Sequence, residues 1–285
     1  MPLVKTFSAI STIISFGYGA FLVYNGSLTV GDIIAFQLYL QMIIWPMISV
    51  GELTNVLRQG SASMNRIEEV IHTKDDMGEY GTHAIESDGS LILEDLHFRY
   101  PTSSDHNLSE LHIEINKGKM LGIVGKTGSG KTTLLRQFLR QDPLGEGGFR
   151  YGDVDVAELQ DQALQRLIGY VPQDHILFSR SVRENIAFGK NEATDDEILE
   201  SIRIASFADD LENMSEGLDT LVGEKGVSIS GGQKQRISLA RALIKEPEIL
   251  MLDDSLSAVD AKTEQNIIAN IKENRADKTT IISTH

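Results

Sequence analysis

The chain has 285 residues, enough for about two domains. Its 41% hydrophobic and 24% charged residues exclude wholesale disorder and collagen-like or low-complexity classes. The 41 acidic against 26 basic residues, a net charge of -15, argue against a surface that covers nucleic acid phosphates, and the absence of cysteine removes disulfides, thiolate zinc sites, iron–sulfur clusters and cysteine nucleophiles.

Charge is unevenly spread. Residues 1–60 hold only Lys5 and Arg58 against Asp32 and Glu52, and residues 6–24 and 33–50 carry no charge at all. Each stretch is close to the ~20 residues that a bilayer-spanning helix requires. Asn25-Gly26-Ser27 between them is a turn signal, and Asp32 is placed to cap the second helix, so the region reads as a helical hairpin. Lys5 before the first stretch and Arg58 and Arg66 after the second put both ends in the cytoplasm by the positive-inside bias. Two buried core helices would share this composition. Pro46 predicts a kink in the second span, of a kind membrane helices tolerate.

From Leu53 to Ile71 apolar residues recur at helical spacing among charges, which predicts that the second span continues as an amphipathic cytoplasmic helix. Residues 1–71 therefore form the first region. Residues 72–89, with charges, glycines and no sustained period, read as a linker, and residues 90–285 as a second domain.

In that domain Leu91, Leu93, Leu96, Phe98 and Tyr100, then Leu111, Ile113 and Ile115, alternate with polar residues, predicting two strands around a Pro101 turn. The apolar residues 120–124 run into Gly125, Lys126, Thr127, Gly128, Ser129, Gly130, Lys131 and Thr132, followed by a helical stretch from Thr133. This is GxxxxGK[ST] in a strand–loop–helix setting. Glycines let backbone amides turn toward phosphate oxygens, the helix adds its positive N-terminus, Lys131 supplies a point charge and the Thr132 hydroxyl can ligate Mg²⁺. Further on, four apolar residues end in Asp253-Asp254, as expected of a buried parallel strand whose C-terminal end meets a ligand. The pairing with a phosphate loop assigns Asp253 to Mg²⁺ and Asp254 to the attacking water. The bland alternative, a strand leading into a solvated turn, loses weight only because of that loop.

With Ser230-Gly231-Gly232-Gln233 inside ISGGQKQRISLARAL, the chain resembles an ATP-binding cassette (ABC) exporter half-transporter. The resemblance covers nearly the whole chain and implies a transmembrane helical hairpin followed by an α/β phosphate-loop nucleotide-binding domain with a helical subdomain. It implies ATP and Mg²⁺ as ligands and ATP hydrolysis coupled to export. It also implies a second half-transporter subunit as partner, and a multi-pass place in the cytoplasmic membrane with the nucleotide-binding domain in the cytoplasm. Tyr100 resembles the aromatic residue that stacks on adenine, Gln173 the glutamine joining Mg²⁺ to the membrane domain, and His285 the histidine near the γ-phosphate. Residues 230–233 resemble the signature that completes the partner's site, and Asp260 closes a loop similar to one that crosses the dimer interface.

Three departures qualify these expectations. The family has glutamate where this chain has Asp254, a carboxylate shorter by roughly 1 to 1.5 Å, which resembles the slow-site subunit of heterodimeric exporters and favours a heterodimer over a homodimer. Leu221 stands where many exporters have an acidic residue. Half-transporters have six spans and a longer domain past the histidine, so the resemblance implies segments missing from both ends. The competing classes are a non-transport cassette ATPase, against which the hairpin and acidic charge weigh, and a non-functional transporter fragment.

Overall fold

The computed structural model describes residues 2–73, 77–85, 89–223 and 229–285. The chain divides into two units, Met1–Asp75 and Asp76–His285. The Lys5 side chain, residues 74–76 and 86–88 of the expected linker, and residues 224–228 beyond Leu221 lie outside the described residues.

The first unit is a pair of helices, α1 (Pro2–Tyr24) and α2 (Val30–His72). Both are long and apolar enough to cross a membrane, and most of their large apolar side chains are exposed, Trp45 at 74% among them. Asp32, expected from its sequence position to cap α2, is not the cap. Thr29 is the N-cap and Asp32 is the third helical residue, the two exchanging bonds in a capping box. The threonine has the extended backbone that a cap needs, and the carboxylate reaches back to its amide. Pro46 stays inside one continuous helix that runs on through residues 53–71. Polar side chains join the pair: Ser15 Oγ donates to Gln37 Oε1 at 2.9 Å and Gln37 Nε2 donates to Thr12 Oγ1 at 3.0 Å, the hydrogen bonding that holds apolar helices together where hydrophobicity cannot.

The second unit opens with β1 (Leu91–Phe98), β2 (Leu108–Ile115), β3 (Met120–Val124), α3 (Lys131–Leu139), β4 (Glu146–Tyr151) and β5 (Val154–Asp155). Then come α4 (Ala163–Leu167), β6 (Ile168–Val171), β7 (Arg180–Ser181), α5 (Val182–Ala187), α6 (Asp195–Ile204), α7 (Ala208–Glu212) and β8 (Leu221–Val222). It closes with α8 (Gly231–Leu243), β9 (Ile249–Asp253), α9 (Ala261–Asn274) and β10 (Thr279–Thr284). An antiparallel sheet has the order β2-β1-β4-β5 and a parallel sheet the order β3-β10-β9-β6. The first predicted strand ends at Phe98, short of Tyr100. Its apolar residues skip from Leu93 to Leu96 because the register shifts there, with Asp95 at φ 52°, and the bulge returns Leu96 and Phe98 to the buried face.

β9 is buried along its whole length, and its alternation feeds two cores. Ile249 and Met251 join the core beneath β1, α3 and β4, while Leu250 and Leu252 join the core built from α5, α6 and α8. A strand flanked by packed layers on both faces is apolar without interruption for this reason. Leu221 lies exposed in β8, paired with Ser181 of β7.

Candidate functional site

The four strands of the parallel sheet end together. Thr284 pairs with Val124, Ser283 with Asp253 and Val171 with Leu252. The residues just past these ends are Gly125, His285, Asp254 and Gln173, so one register brings together four segments far apart in sequence. Ligands of open parallel sheets bind at the carboxyl ends of strands. Here a cleft of about 330 Å³ is lined by residues 127–133, Gln173, Asp253, Asp254 and His285, together with His106 and Asn107.

The loop from Gly125 to Gly130 leads into α3. Gly130 has φ 90°, and a Cβ there would come within 2.9 Å of Asn107 O and 3.0 Å of Leu108 Cδ2, so only glycine fits this position. Lys131 Nζ donates to Gly125 O at 2.6 Å and Lys126 O at 3.3 Å, and lies 3.4 Å from His285 Nδ1. Tyr100 is not among the residues lining the cleft. Its ring packs edge-on against Phe98 and its hydroxyl donates to Asp142 Oδ2 at 3.0 Å, with Thr133 Oγ1 at 3.5 Å. Asn107 ties the two parts, since Tyr100 N–H donates to Asn107 Oδ1 at 3.0 Å.

Asp253 is 1% exposed and is held by two hydroxyls, Ser283 Oγ at 2.7 Å and Tyr170 Oη at 3.3 Å. Burial, and then the charge of Asp253, push the Tyr170 phenol well above its ordinary pKa, which keeps it a donor. Asp254 has φ 46°, the left-handed region that aspartate tolerates better than most residues. Its amide donates to Ser283 Oγ and O at 3.0 and 3.2 Å. Its carboxylate Oδ2 lies 3.1 Å from His285 Nε2 and accepts from Gln173 Nε2 at 3.4 Å. Sequence reasoning did not single out Tyr170, Ser283, His106 or Asn107. Ser283, a hydroxyl two residues before His285 in an apolar strand, was the readable signal; Tyr170 had none.

Residues 230–233 lie outside this cleft. Ser230 caps α8: its Oγ accepts from Gln233 N–H at 3.2 Å and its own N–H donates to Gln233 Oε1 at 2.9 Å. A Cβ on Gly232 would come within 2.9 Å of Ala258 O, so the absence of a side chain lets the loop after Asp254 lie against the helix start. Ala258 N–H also donates to Gln235 Oε1 at 3.1 Å. Asp260 ends that loop as the cap of α9, accepting from the Lys262 and Thr263 amides and from Thr263 Oγ1 at 2.6 Å. These bonds, the Thr263 hydroxyl foremost, hold its carboxyl below the usual pKa.

A parallel sheet whose strand ends gather a phosphate loop and a buried carboxylate, with a serine–glycine helix start alongside, defines a phosphate-loop nucleotide-binding protein of the cassette type. The family model described as "ABC transporter" matches residues 108–257, and the chain belongs to that family. It is 50% identical over 285 residues to the probable multidrug resistance ABC transporter ATP-binding/permease protein YheI of Bacillus subtilis, covering 100% of this chain and 49% of the relative. It is 39% identical over 284 residues to the multidrug resistance-like ATP-binding protein MdlA of Escherichia coli, covering 100% and 48% respectively. Among solved structures, a bacterial Atm1-family ABC exporter with ATP bound matches with a TM-score of 0.72 at 32% identity, over 91% of this chain and 46% of that one. The chain spans about half the length of the curated relatives it matches.

Proposed function

We propose that this chain is one ATP-binding subunit of an ATP-driven exporter, with a slow ATP site of its own and a competent signature offered to a partner subunit. The observation that carries this reading is the gathering of Lys131, Thr132, Gln173, Asp253, Asp254 and His285 at the ends of four parallel strands, with residues 230–233 outside that cleft. A helix start with anion-binding character, placed away from the chain's own phosphate loop, suits a nucleotide held by another subunit.

In this scheme residues 125–133 cradle the triphosphate of ATP, and Lys131 exchanges its carbonyl partners for phosphate oxygens. The Tyr100 ring stacks on adenine. Thr132, Gln173 and Asp253 offer hydroxyl, amide and carboxylate oxygens, the hard donors that Mg²⁺ takes beside nucleotide phosphates, and the two hydroxyls that orient Asp253 fit that role. When bound, the ion neutralises charge on the phosphates. Asp254 and His285 face the γ-phosphate, but the aspartate is one methylene shorter than the family's glutamate, so water activation here is slow. ATP binding closes two nucleotide-binding domains and hydrolysis reopens them, biasing a two-state membrane element.

The two candidate spans and the exporter relatives support a multi-pass place in the cytoplasmic membrane, with the nucleotide-binding domain in the cytoplasm. Asp254 supports a heterodimer over a homodimer. The relatives' multidrug names support a drug-like cargo. The test is ATP-dependent uptake of a fluorescent drug by inverted vesicles that hold the full-length chain and its partner. Uptake that is lost with Lys131→Ala supports the proposal, and uptake indifferent to ATP contradicts it.

A further inference from the structure

Asp210 of α7 divides its two carboxylate oxygens between two residues of α8. Oδ1 accepts from Gln233 Nε2 at 2.9 Å, and Oδ2 accepts from Arg236 Nη1 at 2.5 Å. Arg236 is only 14% exposed, and it also donates from Nη1 to Ser206 O at 2.9 Å and from Nε to Gly232 O at 3.2 Å. Its guanidinium lies 5.6 Å from the Phe207 ring centre.

The consequence falls on Gln233, whose side-chain amide has a donor end and an acceptor end. A carboxylate only accepts, so Asp210 takes the NH₂ group and directs Oε1 toward the Ser230 amide, where it accepts at 2.9 Å. Ser230 Oγ in turn accepts from Gln233 N–H. These reciprocal bonds occupy the amides of Ser230 and Gln233. Among the described residues the Gly231 and Gly232 amides and the Ser230 hydroxyl hydrogen have no acceptor, which leaves three donors at one helix start. With the Gln233 amide reversed, its NH₂ would face the Ser230 N–H, donor against donor, and the turn would lose half of its capping box.

We propose that Asp210 is a positioning residue: by fixing which end of the Gln233 amide faces Ser230, it holds residues 230–233 in the geometry that receives the partner's γ-phosphate. This rests on the reading that the turn completes the partner's ATP site. Asp210 is not among the residues lining the phosphate-loop cleft, and it acts through Gln233. Nothing in its sequence neighbourhood marks it, since Ala208–Glu212 is a short acidic helix that reads as a solvated surface.

The test is steady-state ATPase against ATP concentration for the full-length chain with its partner subunit. Alongside it, binding of labelled ATP to this chain's own phosphate loop and the thermal midpoint are followed. Asp210→Asn keeps the volume but presents one acceptor, which Arg236 takes, leaving NH₂ against Gln233 Nε2. The expected result is a fall in kcat/KM of about tenfold or more, with affinity at the chain's own phosphate loop held within about twofold. Unchanged kcat/KM overturns the proposal, and so does a parallel fall in kcat/KM, loop affinity and thermal midpoint, which is the mark of a merely structural role. Should Asp210→Asn fail to assemble, the pair Asp210→Leu with Arg236→Met replaces the ion pair by apolar side chains, a change that proteins tolerate, and still deprives Gln233 of its acceptor. Low kcat/KM in that assembled variant supports the proposal, and turnover like the unmodified protein overturns it. Ser230→Arg serves as the control. If it leaves turnover intact, the reading of the turn fails and takes this proposal with it; if it abolishes turnover while Asp210→Asn does not lower it, the Asp210 proposal alone fails.

Discussion

His285 Nε2 lies 3.1 Å from Asp254 Oδ2, on the side of the ring opposite the atom that faces Lys131. Lys131 Nζ can only donate, so the neutral tautomer that satisfies both contacts has Nδ1 as acceptor and carries its proton on Nε2, pointed at Asp254. With Gln173 on the same carboxylate oxygen, Asp254 is held at the cleft wall by two neighbours. A glutamate at this position would carry its carboxylate one methylene further from the backbone. Asp254→Glu is therefore expected to raise steady-state ATPase at this chain's own site by at least about tenfold, the low end of what a well-placed general base contributes. The comparison is made in the full-length chain, with the partner's phosphate-loop lysine replaced so that only this site turns over. Equal rates for aspartate and glutamate would mean that side-chain reach is not what limits the site.

Lys131 offers the second prediction. Its ammonium already satisfies two carbonyl oxygens of its own loop, so the exchange to phosphate is between charge-assisted contacts. Loss of the group removes roughly 1.5–3 kcal/mol, about one to two decades in affinity. Lys131→Ala is expected to weaken ATP binding by that much in a fluorescent-nucleotide titration. Unchanged affinity would contradict the phosphate role.

Tyr100 separates two kinds of contact. Its hydroxyl bonds Asp142, so Tyr100→Phe loses a structural bond but keeps the ring, while Tyr100→Ala loses both. If the ring stacks on adenine, the Phe variant binds ATP nearly as before. The Ala variant loses affinity for ATP but not for inorganic triphosphate. Competition titrations of the two ligands decide it, and equal losses for both would point to damage to the loop rather than to lost stacking.

A pH dependence follows from His175. Neither ring nitrogen has a hydrogen-bond partner among the described residues, and burial pulls its pKa below the ordinary 6.5, against an opposing pull from Asp174. A depressed pKa in the folded state means that the unfolded chain binds the proton more readily. The associated stability is complete above the ordinary pKa and is lost as pH falls through the folded value. The thermal midpoint is expected to drop on acidification from about pH 7 to about pH 5, and His175→Leu to flatten that drop. An unchanged slope in the variant would assign the acid sensitivity to other groups.

What could be read from the sequence was contiguous. Residues 125–132 carry their chemistry in one stretch, and the apolar run ending at Asp253 announces a strand buried on both faces. The insertion of β10 between β3 and β9 was not legible, because parallel neighbours are joined through long crossovers and the pairing depends on packing rather than on local pattern. The same holds for Asp210, whose partners lie 23 and 26 residues away. At Thr29 and Asp32 the signal was present but divided between two residues of one box, and reading one of them misassigned the cap. The bulge at Asp95 was visible only as a stumble in alternation between Leu93 and Leu96.

The measurement that tests the account most directly is steady-state ATPase of the full-length chain with its partner, carrying Asp254→Asn or Ser230→Arg in turn. On the proposed reading Asp254 belongs to a slow site, whereas Ser230 belongs to the turn that completes the partner's productive one. The account predicts that Asp254→Asn removes little turnover and that Ser230→Arg, which puts a bulky cation into the anion turn, nearly abolishes it. Equal damage from the two substitutions, or brisk hydrolysis by the full-length chain alone as a homodimer, would contradict it.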